Sequence, residues 1–132
     1  MKIDGRCHCG NISFEAEVDP AAVAICHCTD CQRLSGSAFR ANVAAAANHF
    51  VIRGEPKSYI KTAESGTKRR HAFCGECGTP IYACAIENPQ SYSLRLGTIT
   101  QRTAFTPRRQ IWHRSALPWV NDLVTVPAAE KG

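Results

Sequence analysis

The 132-residue sequence contains no run of about 18 apolar residues, the length a membrane-spanning helix needs, so no membrane partner is expected. Its first ten residues, MKIDGRCHCG, lack the apolar stretch of a secretory signal, which makes the cytoplasm the expected compartment. Internal repeats and low-complexity tracts are missing too, and the AAAA run at Ala44–Ala47 is too short to count as one. Helical periodicity is scarce. Only Thr29–Leu34 and Ala44–His49 are predicted to make a turn or two of helix. There is also no long basic or disordered extension. The formal charge of +5 would fall to +2 if seven thiolates held two divalent cations, so the charge gives little reason to expect nucleic acid as a partner. The densest basic run, Lys68–His71, reads as a solvated strand edge or as an anion contact.

Cysteine, by contrast, is plentiful: eight residues. In a reducing compartment clustered cysteines are metal ligands or catalytic thiols rather than disulfides. The groups are Cys7/Cys9, Cys26/Cys28/Cys31 and Cys74/Cys77, with Cys84 alone.

The rest of the pattern has a period of two. Ile12, Phe14, Ala16 and Val18 share one strand face, and Pro20 follows. Phe39, Ala41 and Val43 alternate with Arg40 and Asn42. KSYIKT, KRRHAFC, PIYACAI, SYSLRLG and RQIWH are further strand candidates. These point to one mainly β domain over residues 1–126, built of several short antiparallel sheets. A tail at 127–132 has no apolar pattern and is expected to fray.

CGECGTP (Cys74–Pro80) has the form of a zinc knuckle. Gly75 and Gly78 relieve crowding where backbone N–H groups turn toward the thiolates. A knuckle supplies two ligands, and Cys7/Cys9 is the natural source of the other two in a closed four-thiolate site. A redox role for C-x-x-C would want a βαβ context, which is missing.

Cys26, Cys28 and Cys31 can cap one face of a second metal. Three candidates exist for a fourth ligand. His27 points to the opposite face of an extended segment. Cys84 lies in an apolar strand, where a buried core thiol is the plainer reading. The third is an exchangeable water or substrate atom, the pattern of catalytic zinc. Three thiolates on Zn²⁺ leave a net charge of −1, a modest Lewis acid that can hold an incoming thiolate poised to attack an aldehyde. Beyond the cluster, Arg33, Ser35, Gly36 and Ser37 suit a small polar pocket. Arg33 can pair with a carboxylate and Gly36 allows close backbone approach. Gly36 as a helix C-cap beside a surface Arg33 fits the same letters. Lys68 and Arg69 are weaker pocket candidates. Trp112 and Trp119 suit core packing or a pocket wall.

Taken together, GRCHCGNISFEA, CHCTDCQRLSGSAF, FCGECGTPIY and IWHRSALPW resemble the glutathione-dependent formaldehyde-activating family, also called the CENP-V/GFA domain, over nearly the whole chain. The resemblance implies a beta-tent fold of coiled β-sheets and two zinc ions. Cys7, Cys9, Cys74 and Cys77 would be structural, and Cys26, Cys28 and Cys31 would sit at the active zinc. It implies a carbon–sulfur lyase or synthase that joins formaldehyde to glutathione as S-(hydroxymethyl)glutathione. The competing expectation is a non-catalytic, chaperone-like binding module of the same fold.

Overall fold

The structure, a computed structural model, describes residues 1–132. Its elements run β1 (Lys2–Arg6), β2 (Ser13–Cys26), α1 (Thr29–Ser35), β3 (Arg40–Arg53), β4 (Lys57–Thr62), β5 (Lys68–Phe73), β6 (Pro80–Ala85), β7 (Ser91–Arg95) and β8 (Arg109–Ile111). All eight strands join one sheet in the order β1-β2-β3-β7-β6-β5-β4, with β8 also on β2. The mainly β, antiparallel expectation holds. The separate short sheets merge because β2 and β3 are each 14 residues long and bend where a break was expected. Pro20 lies inside β2, where the register with β3 shifts between Val18 and Val23. A residue without an N–H is tolerated at such a bulge, and the bulge supplies the bend.

Three further expectations need correction. Cys7 and Cys9, expected just before the first strand, follow β1 and sit in the turn between β1 and β2. Ala44–His49 is strand and not helix. Val43 and Ala45 alternate into the core, at 0% and 1% exposure, and that burial outweighs the helix propensity of alanine. Lys68–His71 lies on β5, an interior strand between β4 and β6, and is no sheet edge.

A core cluster of 17 buried residues fills the bent sheet, with Phe14, Ile12, Ile81 and Leu94 among its largest fully buried members. Cys7 and Cys74 belong to it. Phe50, Tyr82 and Tyr92 stack at its margin with ring centroids 4.5–5.6 Å apart. Trp112 and Trp119 are outside it, 48% and 51% exposed, so the core-packing expectation for them fails. The Arg114 guanidinium lies 5.1 Å above the Trp112 ring. The short β8 runs parallel to β2, pairing Ala24–Cys26 with Arg109–Ile111, on the same edge of β2 that β1 occupies farther back. No helix is long and apolar enough to cross a membrane.

Candidate metal centres and the cleft between them

The first cluster forms where two tight turns meet. In the β1–β2 turn Gly10 N–H donates to Cys7 O at 3.2 Å, and in the β5–β6 turn Gly78 N–H donates to Cys74 O at 2.8 Å. Gly78 has φ +79°, the left-handed conformation that glycine adopts without strain. Gly75 does not; a Cβ there would meet only the flexible Lys57 side chain, at 2.9 Å. His8 N–H donates to Thr79 Oγ1 at 3.1 Å and ties one turn to the other. The Sγ atoms of Cys7, Cys9, Cys74 and Cys77 all lie within 4.8 Å of one another. Cys7 to Cys9 is 3.6 Å and Cys9 to Cys74 is 3.8 Å. Those separations are far too long for disulfides. They match the edge of a tetrahedron of sulfurs about 2.3 Å from a central zinc, roughly 3.8 Å. Ile12 N–H also donates to Cys7 Sγ at 3.2 Å, as a thiolate would want. The Thr79 hydroxyl beside Cys77 holds that thiol down at about 5. These residues fit a divalent cation.

The second cluster is local. Cys26 ends β2, Cys28 is the N-cap of α1, and Cys31 sits in its first turn. Cys28 Sγ accepts from Cys31 N–H at 3.2 Å, so one sulfur both caps the helix and faces the group. The three Sγ atoms lie within 4.8 Å of one another, and no fourth His, Cys, Asp or Glu atom joins them. Burial, with Cys28 and Cys26 crowded beside it, pushes Cys31 up to about 12. Neither protein candidate for a fourth ligand is in the group. Cys84 is buried at 2% exposure in β6, opposite Arg70 of β5. His27 points away from it: its Nε2 is 2.6 Å from Gln110 Oε1, and its ring packs on Phe39 and His113. Gln32 Nε2 donates to both His27 O and Ser115 O, fixing α1 to the segment after β8. The Lys61–Asp30 ion pair at 2.9 Å fixes it to β4.

A cleft of about 760 Å³ is lined by Cys7 and Thr79 of the first cluster's turns and by Ser35, Phe39 and Arg40, and none of Cys26, Cys28 and Cys31 is in its wall. Of the four pocket residues read from the sequence, Ser35 lines it. Arg33 is exposed on α1, and Gly36 ends the helix at φ +64° with open space around it. Ser37 N–H donates to Ser35 Oγ at 3.3 Å. Lys68 and Arg69 are not in its wall.

Sequence reasoning missed Arg40 and Arg95, buried at 5% and 8% exposure. His71 Nδ1 lies 3.4 Å from Arg40 Nη1 and 3.1 Å from Arg95 Nη2 and accepts from both. Burial, together with the Arg95 and Arg40 charges, holds His71 at about 4, so it stays neutral. Burial and the neighbouring Arg40 bring Arg95 down to about 9. The only trace of this in the sequence is one arginine inside each of two otherwise apolar or small-residue strands, SAFRANV and SYSLRLG.

The family model for glutathione-dependent formaldehyde-activating enzymes matches residues 2–115. A Halomonas elongata protein named for glutathione-dependent formaldehyde activation is 27% identical over 88 residues, or 62% of this chain and 55% of that protein. The chain therefore spans about half the length of that relative. A crystal structure of a Rhodobacter sphaeroides protein is similar in fold, with a TM-score of 0.61, 22% identity, and coverage of 81% of this chain and 98% of that one.

Proposed function

We propose a function from the premise that this chain belongs to the glutathione-dependent formaldehyde-activating family, whose model covers residues 2–115. The reading is a zinc-dependent carbon–sulfur lyase or synthase acting on a small thiol adduct, such as S-(hydroxymethyl)glutathione formed from glutathione and formaldehyde. It works in the cytoplasm as one domain, residues 1–126, with 127–132 as an exposed tail. One observation carries it: four sulfurs gather in one cluster and three in the other. Four ligands close a tetrahedral site, whereas three leave a position for an exchangeable group.

In this reading Cys7, Cys9, Cys74 and Cys77 would hold a structural zinc, and Cys26, Cys28 and Cys31 would hold a second zinc with a position free for a thiol. When bound there, zinc supplies a Lewis-acid charge that keeps an incoming thiol deprotonated near neutral pH. The protein's own part is placement. The Cys28 cap and the Gln32 clamp fix the three sulfurs, and the buried His27–Gln110 contact backs them on the side away from the substrate. Ser35 offers a hydroxyl to the substrate at the mouth of the cleft, with Arg33, Gly36 and Ser37 beside it. In the synthetic direction the thiol gives up its proton and its sulfur bonds to the aldehyde carbon. The carbonyl pair moves to oxygen, which takes up a proton. The lyase direction reverses each change.

Cobalt substitution followed by glutathione titration tests this. Two cobalt ions per chain, with only part of the visible sulfur charge-transfer spectrum shifting and saturating, is the expected result. A spectrum of two ions that ignores every small thiol would sink it and favour the binding-module reading.

A further inference from the structure

We propose that the cleft is a carboxylate subsite built on Arg40 and Arg95, which line its wall, selecting a thiol whose carboxylate has no ammonium on the neighbouring carbon. The thiol half of this ligand rests on the function proposed above; the carboxylate half does not.

Neither arginine has an acidic partner. The chain's two ion pairs are Arg53–Glu15 and Lys61–Asp30. Arg40 and Arg95 share the lone pair of one neutral base, His71 Nδ1, and Arg95 also donates to Asn42 Oδ1 at 2.7 Å. Arg95 Nε is buried with no partner at all. Two like charges buried side by side, answered only by neutral acceptors, are costly unless an anion completes the site. Three thiolates around a divalent cation carry one net negative charge, enough for one of the two arginines. One positive charge is left over until a thiolate binds, and Arg6 and Arg102 in the cleft wall still lack an anion after it does.

Register places that charge. Cys26 pairs with Arg40 across β2 and β3, and Asn42 pairs with Arg95 across β3 and β7. Arg40 and Asn42 are two apart on one strand, so Cys26, Arg40, Asn42 and Arg95 share one face of the sheet. The arginine pair thus stands between the three sulfurs and the cleft, whose wall it joins. Arg6 and Arg102 add two more cations to that wall, and no Asp or Glu lines it. Asp4, at the rim, is already engaged by Thr100 and Gln101 at 2.8 and 2.7 Å. A guanidinium fork matches a carboxylate in shape and charge. An ammonium in the same space meets repulsion and no acceptor of opposite charge. The glycyl end of glutathione and a simple mercaptocarboxylate both offer such a carboxylate, whereas cysteine sets an ammonium directly beside it.

The test is calorimetric titration of the zinc-loaded protein with five probes: succinate, propionate, 3-mercaptopropionate, 2-mercaptoethanol and cysteine. Succinate is expected to saturate at one per chain. 3-Mercaptopropionate should bind about tenfold or more tightly than 2-mercaptoethanol, which lacks the carboxylate, and than cysteine, which adds only the ammonium. Arg40→Gln and Arg95→Gln should abolish succinate binding. Because loss of a buried group risks the fold, the exposed Arg102→Gln provides a second variant, expected to weaken succinate about threefold. Absence of succinate binding, with 3-mercaptopropionate no tighter than 2-mercaptoethanol, overturns the subsite. Cysteine binding as tightly as 3-mercaptopropionate overturns the exclusion of ammonium. Succinate binding with 3-mercaptopropionate no tighter than propionate would keep the subsite and sink the thiol reading instead.

Discussion

Cys9 and Cys74 are 3.8 Å apart in space and 65 residues apart in sequence. Cys26, Cys28 and Cys31 fall within six consecutive residues. The same ligand chemistry therefore has different mechanical consequences at the two places. A cross-link closing about 65 residues removes roughly 4 kcal/mol of freedom from the unfolded chain, against roughly 2 kcal/mol for a loop of about five. The long-range cluster is also rooted in the core through Cys7 and Cys74, at 1% and 0% exposure, while Cys28 and Cys31 are only half-buried. Proximity in sequence frees the second cluster from holding the fold together, and a site that must exchange a ligand needs that freedom.

The largest effect should come from Cys74→Ser. It is expected to release one metal ion and lower unfolding free energy by about 4 kcal/mol or more, read by denaturant titration alongside metal content. Native stability with full metal content in this variant would erase the contrast between the clusters. Cys28→Ala is the matching cut. It should also release one ion and abolish thiol binding, yet keep its circular dichroism and lose only about 1–2 kcal/mol, part of it from the helix cap. A collapsed fold here would mean that both clusters are structural.

Two of the five left-handed glycines sharpen the comparison. Gly78→Ala and Gly36→Ala each meet open space at a positive φ, so each should cost about 1 kcal/mol from backbone strain alone. Gly78 follows a ligand directly and Gly36 stands five residues past Cys31. Chelator challenge should therefore strip metal faster from the first variant and leave the second near wild type. The smallest effect belongs to His71, which lies between the clusters. Its folded pKa, about 4, is below the ordinary histidine value of 6.5, so the unfolded chain binds more protons in that window. Its contribution is fully present above pH 6.5 and is lost as pH falls toward 4. The stability difference between wild type and His71→Gln should shrink over that window, by less than about 1 kcal/mol once solvent screening of this half-buried ring is allowed for. A difference that stays flat with pH would show that the ring is not held neutral by the arginines.

Much of this was legible beforehand. The cysteine grouping can be read because turn chemistry dictates spacing, as Gly78 after Cys77 shows. Ile12, Phe14, Ala16 and Val18 can be read because one face of β2 is buried and the other is wet. α1 ends at Ser35, one residue past its expected bound, with Gly36 as its cap. What escaped has a common physical cause. Alternation assigns charged residues to solvent, but the start of β3 and the end of β7 are covered on the second face too, so Arg40 and Arg95 went inside unseen. Ala44–His49 misled for a related reason: burial, set by strands distant in sequence, decided against local propensity. Trp112 and Trp119 showed the reverse, since large aromatic rings carry no mark of the surface they end up on.

The β8 strap bears on how the protein is made. Gln110, which meets the imidazole of His27, lies 83 residues downstream of it. At about 5–20 residues per second, a ribosome needs roughly 4–17 s to reach it after His27 has been added. During that interval the CHCTDC segment lacks the His27–Gln110 contact and the β8 pairing, so its thiols are less firmly braced than in the finished fold. The vulnerable phase for oxidation at these three cysteines is therefore expected to be translation itself, with the finished protein the safer form. Pausing the ribosome before Arg109 and counting alkylated cysteines would time it.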